Sequence, residues 1–220
     1  MNNILHIDEK FKGLIRLAKD SYLFIGNIIT NDSLVITLNG SLTVIGDILI
    51  GGGIKSLYSI IAHGKITTKN DISVEHGGLE ASRSIISGGN IITKSDINAG
   101  ESISADKDIM AGKICAGHNI SSYGTVISHS DIKAGYFIIV YGNILANGCI
   151  FADETIIVDG SITTESIIAG APIVTNSYID VRNNIFAGAS ANIKNYKSDN
   201  IITCAEFRNG KIAYGKLVIK

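Results

Sequence analysis

The chain has 220 residues, of which 45% are hydrophobic, 18% are charged and 6% are aromatic, and its formal net charge is -1. This length and composition suffice for one ordered domain, and scarce aromatics suit a narrow interior of Ile, Val and Ala. A charge so close to zero gives no electrostatic reason to expect DNA, RNA or an anionic membrane as a partner.

The chain start has no basic segment followed by an apolar one, and no apolar run reaches the ~18 residues that span a membrane. We therefore expect no signal peptide, no membrane span and a cytoplasmic location. The cysteines Cys115, Cys149 and Cys204 are widely spaced and form no CxxC motif. Their number and spacing predict neither a disulfide framework nor a zinc site.

Residues 1–41 are expected to form an N-terminal cap followed by lead-in strands. Asp8 stands where a helix N-cap would, and the residues after it, up to Lys19, have apolar side chains at helical spacing. These are Phe11, Leu14, Ile15 and Ala18. The pattern predicts a short capping helix, which would cover the strand edge and open core that the first coil of a repeat exposes.

Residues 42–190 repeat a short phrase, in which an aliphatic residue, a free position and a small or β-branched residue are followed by Gly, Asn or Asp. Three close copies are Ser95-Asp96-Ile97-Asn98-Ala99-Gly100, Lys107-Asp108-Ile109-Met110-Ala111-Gly112 and Ser130-Asp131-Ile132-Lys133-Ala134-Gly135. Within a phrase, the first and third residues point to one face of a strand and the second to the other. Gly, Asn and Asp tolerate the bends between phrases, and we expect the Asp residues to bond locally to the backbone there.

Every third phrase falls in the same column, and from Ile97 onward the steps are 17 or 18 residues. One column runs Ile97, Ile114, Ile132, Ile150, Ile167, Ile185. Three sides of about six residues that slip together in this way predict an all-β fold, a single-stranded triangular β-helix with about 18 residues per coil.

Residues 191–220 are expected to form a C-terminal cap, because the register breaks from Asn192. Residues 199–205 are predicted to add one strand. Asn209-Gly210 is typical of a tight hairpin, which would lie across the last coil, and Leu217–Ile219 would end the chain.

No motif predicts catalysis or ligand binding. No two of the five histidines stand three to five residues apart, the separation that metal sites favour within one segment. They are His6, His63, His76, His118 and His129. The Gly-x-Ser-x-Gly and His-Glu-x-x-His motifs are missing. We expect no catalytic residue, no metal and no cofactor.

The phrases resemble those of the bactofilins, bacterial scaffold proteins that form polymers. The family's Gly-Asp-Ile-x-Ala-like phrases are matched by Gly46-Asp47-Ile48 and by the three copies quoted above, over roughly residues 42–190. The resemblance implies a right-handed β-helix and end-to-end assembly without nucleotide. The expected helical cap and hairpin depart from the family, whose members have flexible tails beside an open core.

The alternative is an enzyme similar to the left-handed hexapeptide acyltransferases, expected as a trimer with acyl-coenzyme A between its subunits. In that family the small residue precedes the aliphatic residue by two positions, whereas here it follows by two. The long loops that bring catalytic histidines to the cleft are missing. The favoured reading is a non-enzymatic structural or interaction protein: a bactofilin-like scaffold, or a capped β-helical rod with an apolar face for a partner.

Three outward-facing stripes are apolar where a solvated strand would be polar. They are Ile92, Met110, Ile127 and Leu145; Ile139, Ile157 and Val174; and Phe151, Ile168 and Phe186. These residues are the predicted interface. The expected partner is a second copy, in a homo-oligomer or a filament, or another protein, and the first stripe is expected to be buried against a second subunit rather than under residues 1–35.

Overall fold

The computed structural model describes residues 4–188 and 201–220, which form a β-solenoid with a repeat of roughly 18 residues and contain no helix. The all-β class and the repeat are therefore confirmed. The chain divides into two compact units, Met1–Gly112 (unit 1) and Lys113–Lys220 (unit 2).

Unit 1 contains seventeen described strands, most of them three residues long. They are β1 (Ile4–Ile7), β2 (Leu14–Ala18), β3 (Ser21–Ile25), β4 (Ile28–Thr30), β5 (Ser33–Ile36), β6 (Ser41–Ile45), β7 (Ile48–Ile50), β8 (Ile54–Ser56), β9 (Ile60–Ala62), β10 (Ile66–Thr68), β11 (Ile72–Val74), β12 (Leu79–Ala81), β13 (Ile85–Ser87), β14 (Ile91–Thr93), β15 (Ile97–Ala99), β16 (Ile103–Ala105) and β17 (Ile109–Ala111).

Unit 2 contains fifteen described strands. They are β18 (Ile114–Ala116), β19 (Ile120–Ser122), β20 (Val126–Ser128), β21 (Ile132–Ala134), β22 (Ile138–Val140), β23 (Ile144–Ala146), β24 (Cys149–Ala152), β25 (Ile156–Val158), β26 (Ile162–Thr164), β27 (Ser166–Ala169), β28 (Ile173–Thr175), β29 (Tyr178–Ala187), β30 (Ile201–Cys204), β31 (Glu206–Tyr214) and β32 (Lys216–Ile219).

Within each unit, most strands pair in parallel with the third strand after them, which gives three faces. In unit 1, face A contains β3, β6, β9, β12 and β15; face B contains β4, β7, β10, β13 and β16; face C contains β1, β5, β8, β11, β14 and β17. In unit 2, face A begins with β18, β21, β24 and β27, face B contains β19, β22, β25, β28, β30 and β32, and face C begins with β20, β23 and β26. The long strand β29 continues faces C and A, because it pairs with both β26 and β27.

The inward columns are confirmed. Ile132 is 0% exposed, Ala134 is buried, and Lys133 between them is exposed. Where the third residue is Ser or Thr, its buried hydroxyl donates to a carbonyl at the next bend, as Thr68 does to Asn70 O at 2.6 Å. The inward hydroxyl of Thr68 therefore has a partner, whereas Oγ1 of Thr67, the outward residue of the same strand, is buried without one.

The residue before the aliphatic one bonds to the neighbouring coil rather than locally. Asp131 Oδ1 accepts a hydrogen bond from Cys149 N at 2.9 Å, and Asn143 Oδ1 accepts one from Ser161 N at 2.9 Å. Each bond spans eighteen residues. The expectation of local bonds is corrected for these side chains, because stacked bends leave the next coil's amide close by.

Gly142 lies at a bend where a side chain would strike the preceding coil. A Cβ built on Gly142 would lie 2.6 Å from the carbonyl carbon of Gly124. We expect Gly142→Ala to lower the free energy of unfolding by about 1–3 kcal/mol, since two stacked bends must move apart. Tyr141→Ala, at an exposed side chain of the same bend, is expected to lower it by at most about 1 kcal/mol, through loss of a ring contact. Thermal denaturation of both variants checks this; equal losses would contradict the close approach.

The predicted N-terminal helix is wrong. Gly13 has a φ of +86°, which ends any helix there, and Leu14–Ala18 forms β2, paired antiparallel to β3. One edge of β3 pairs with β6, and β2 hydrogen-bonds to the other edge. A helix would have left that second edge unpaired.

The N-terminal segment still covers the core, by other contacts. Phe11 packs on Phe24 with ring centroids 5.8 Å apart, and Tyr22, 1% exposed, donates a hydrogen bond to Glu9 at 2.8 Å. That hydrogen bond to a carboxylate raises the pKa of Tyr22. Strand β1 pairs in parallel with β5 and buries Ile7.

The predicted C-terminal hairpin is also wrong. Glu206–Tyr214 is one strand, β31, which pairs in parallel with β29, and β32 pairs in parallel with β30. The register between β31 and β29 shifts at Gly210: Asn209 is the partner of Asp180, whereas Lys211 is the partner of Asn184. The Asn-Gly pair thus lets one strand follow a corner of the coil, since the edges of β29 and β30 offer parallel partners. The strand predicted over 199–205 is found as β30, and the expected register break at Asn192 lies outside the described residues.

Candidate interaction faces

Face C of each unit presents two residues of the first apolar stripe. In unit 1, Ile92 and Met110 are partners on neighbouring strands, and Ile92 is 40% exposed. In unit 2, Ile127 and Leu145 are partners, and Leu145 is 45% exposed. Residues 4–36 do not cover Ile92, because they form the first coil and its cap.

A shallow groove of about 490 Å³ lies beside Ile92 on face C of unit 1. Its floor is formed by side chains of β5, β8 and β11, among them Val35, Lys55 and Ser73. The small Ser73, between the longer Lys55 and Ile92 in the same outward column, leaves this space.

Face A of unit 2 has the aromatic stripe. Phe151 is paired with Ile168, and Ile168 with Phe186, so three consecutive coils present large apolar side chains outward. All three side chains are half-buried.

Face B of unit 2 has the second of the predicted stripes. Ile139, Ile157 and Val174 are in register on β22, β25 and β28, and Ile157 is 38% exposed. The faces thus place the residues of each predicted stripe in outward positions within a unit.

Sequence reasoning missed the aromatic residues that border this face. The rings of Tyr123 and Tyr141 stack at 4.7 Å with an interplanar angle of 5°, and those of His118 and Tyr136 stack at 5.2 Å. Their signal was available, because both pairs are eighteen residues apart, one coil. The prediction considered strand positions and left the bends to solvent.

Face B of unit 1 is also apolar at its outward positions, which sequence reasoning did not identify. Ile29 is 65% exposed and Ile86 is 41% exposed, with Leu49 and Thr67 between them along the column. Every face B coil from β4 to β13 therefore presents an aliphatic or Thr side chain.

The histidines and cysteines do not converge. Among residues 4–188 and 201–220, no group of three or more His, Cys, Asp or Glu side chains is placed to hold a metal ion. Cys204 is buried, and burial raises the pKa of its thiol; burial also raises the pKa of Cys149.

No family model, curated protein or solved structure matches the chain. Within the described part of the chain, no helix is long and apolar enough to cross a membrane.

Proposed function

We propose that this protein is a non-enzymatic structural protein, a bactofilin-like scaffold whose coils associate with further copies through their outward faces. The observation that carries the proposal is the register of the outward apolar side chains. On face B of unit 2, Ile139, Ile157 and Val174 follow one another on consecutive coils, and faces A and C repeat the arrangement.

Leaving such apolar stripes exposed to water has a cost in free energy. Parallel sheets are normally covered on both faces, and contiguous exposed apolar patches usually mark a surface that binds something. The inward positions are already used by the core, so the outward positions are those available to a partner.

Sedimentation velocity of the intact protein, from low to high micromolar concentration, tests the proposal. We expect a mass above that of the monomer that rises with concentration. A protein that stays monomeric at high micromolar concentration would contradict self-association. A concentration-independent trimer that binds coenzyme A would instead support the acyltransferase-like alternative.

A further inference from the structure

Two consecutive coils of face B in unit 2 have like side chains at their two corners. The coil of β22 has Tyr136 at one corner and Tyr141 at the other, 45% and 51% exposed. The next coil, that of β25, has Glu154 and Asp159 at the corresponding corners, since Glu154 N bonds to Tyr136 O and Asp159 N bonds to Val140 O. A pair of tyrosines is therefore followed by a pair of carboxylates.

Face B of unit 1 is bordered by cations. Lys69 directly follows β10 as Asp159 directly follows β25, whereas Lys65 directly precedes β10 and is one residue closer to its strand than Glu154 is to β25. Lys65 and Lys69 stand at the two ends of β10, the first half-buried and the second exposed. Arg83 stands at the start of the next coil, that of β13, and its side chain is 59% exposed. Among the described residues, neither lysine forms an ion pair.

The next coil of unit 1 has the opposite charge. Glu101 and Asp106 border β16, and Glu101 pairs with Arg83 at 3.6 Å. In unit 2, the coil of β19, which precedes that of β22, is bordered by His118 and Tyr123. Both of these side chains can donate hydrogen bonds to carboxylates.

These borders match when the order of the coils is reversed. If β10 lies over β25, the lysines face Glu154 and Asp159. In the same register β13 lies over β22, which brings Arg83 to the Tyr136 ring, a cation–π pair. Strand β16 then lies over β19, which brings the carboxylates Glu101 and Asp106 to His118 and Tyr123.

The centres of the faces match for two of the three coils in the same register. Ile86 of β13 faces Ile139 of β22, and Ser104 of β16 faces Ser121 of β19. At the coil with the lysines, Thr67 of β10 faces Ile157 of β25, so the pairing of that coil depends on its charged borders.

Building on the proposed self-association, we propose that face B of unit 1 in one molecule packs on face B of unit 2 in another, with the coils in reverse order. The partner is a second copy of this chain because each molecule contains both complementary faces. Faces A and C have single outward charges, such as Glu80 and Lys133 on face A, whereas face B has coils with charged side chains at both corners. Electrostatic complementarity selects partner and register.

The proposed contact is small and depends on charge pairs, so we expect its affinity to fall as salt is added. A face of five coils is about 24 Å long and about 16 Å wide, which gives roughly 800 Å² of buried surface over both partners, below a standard interface. Charge pairs at exposed corners are screened by salt. The contact should form at micromolar concentration and weaken as salt is added.

Charge reversal with mutual rescue tests the pairing. The first variant combines Lys65→Glu with Lys69→Glu, and the second combines Glu154→Lys with Asp159→Lys. Each alone is expected to raise the dissociation constant at least about tenfold, because like charges then face each other. An equimolar mixture should restore association, since the reversed face of each variant meets a complementary face of the other. Lys94→Glu, at the exposed bend between β14 and β15 and away from face B, is the matched control and should leave association unchanged.

Sedimentation velocity gives the dissociation constants, and circular dichroism confirms that each variant is folded. Two reversed variants that associate like the parent, or a mixture without rescue, would overturn the pairing and leave the proposed self-association intact. In that case Ile127→Lys with Leu145→Lys tests the stripe on face C. A parent protein that is monomeric at high micromolar concentration would overturn the self-association itself.

Discussion

Ile132→Asp is expected to lower the free energy of unfolding by about 3–5 kcal/mol, because a carboxyl group would be buried in an aliphatic column without a partner. Ile132 is 0% exposed and lies between Ile114 and Ile150 on the neighbouring strands. Chemical denaturation monitored by circular dichroism measures the change.

Lys133→Asp is the matched control. Lys133 is the next residue of the same strand, and its side chain is exposed on face A. Its replacement should change the free energy of unfolding by no more than about 0.5 kcal/mol. Equal losses for the two variants would mean that the strand faces the other way.

Deletion of residues 1–20 is expected to turn the protein into aggregates. The deletion removes β1 and β2, so β5 keeps β8 but loses its other parallel partner β1, and β3 loses its antiparallel partner β2. It also uncovers Tyr22, and Phe24 loses its contact with Phe11. Freed strand edges beside an open apolar core pair with other chains.

Deletion of residues 205–220 is the comparison variant, and light scattering measures the aggregation of both deletion variants. Strands β31 and β32 continue the parallel pairing, and their inward residues Phe207, Ile212 and Leu217 are only half-buried. Removing them replaces one parallel edge by another, so we expect less aggregation than the N-terminal deletion causes. If the N-terminal deletion stays as soluble as the parent, residues 4–18 do not cap the core.

The columns of the solenoid were readable from the sequence because they depend on a local rule. An inward aliphatic residue recurs at steps of about 18 residues, and a displacement by one position would place Lys133 rather than Ile132 in the core. Where the pattern is regular, periodicity alone therefore fixes which side chains face inward.

The ends were misread because their structure depends on which strand edges offer partners. Residues 9–19 have helical spacing, but an edge was available at β3, and Gly13 interrupts the segment. Asn209-Gly210 suits a hairpin, but the parallel edge of β29 was available. In both places, pairing with an available strand edge outweighed the local preference of the sequence for a helix or a hairpin.

The corners were the other omission. The sequence pattern predicts solvated bends, but Tyr136 and Tyr141 on one coil and Glu154 and Asp159 on the next form matched borders. Their meaning depends on the register of stacked coils, which aligns positions eighteen residues apart. The charge pattern of face B therefore appears only once the phrases are arranged as coils.

Electron cryo-microscopy of the assembled protein at low salt tests the central claim most directly, because it shows which surfaces touch. The account predicts contacts between face B of unit 1 and face B of unit 2 of a neighbouring molecule, with Lys65 and Lys69 opposite Glu154 and Asp159. An assembly held together through other surfaces, with these side chains open to solvent, would contradict it.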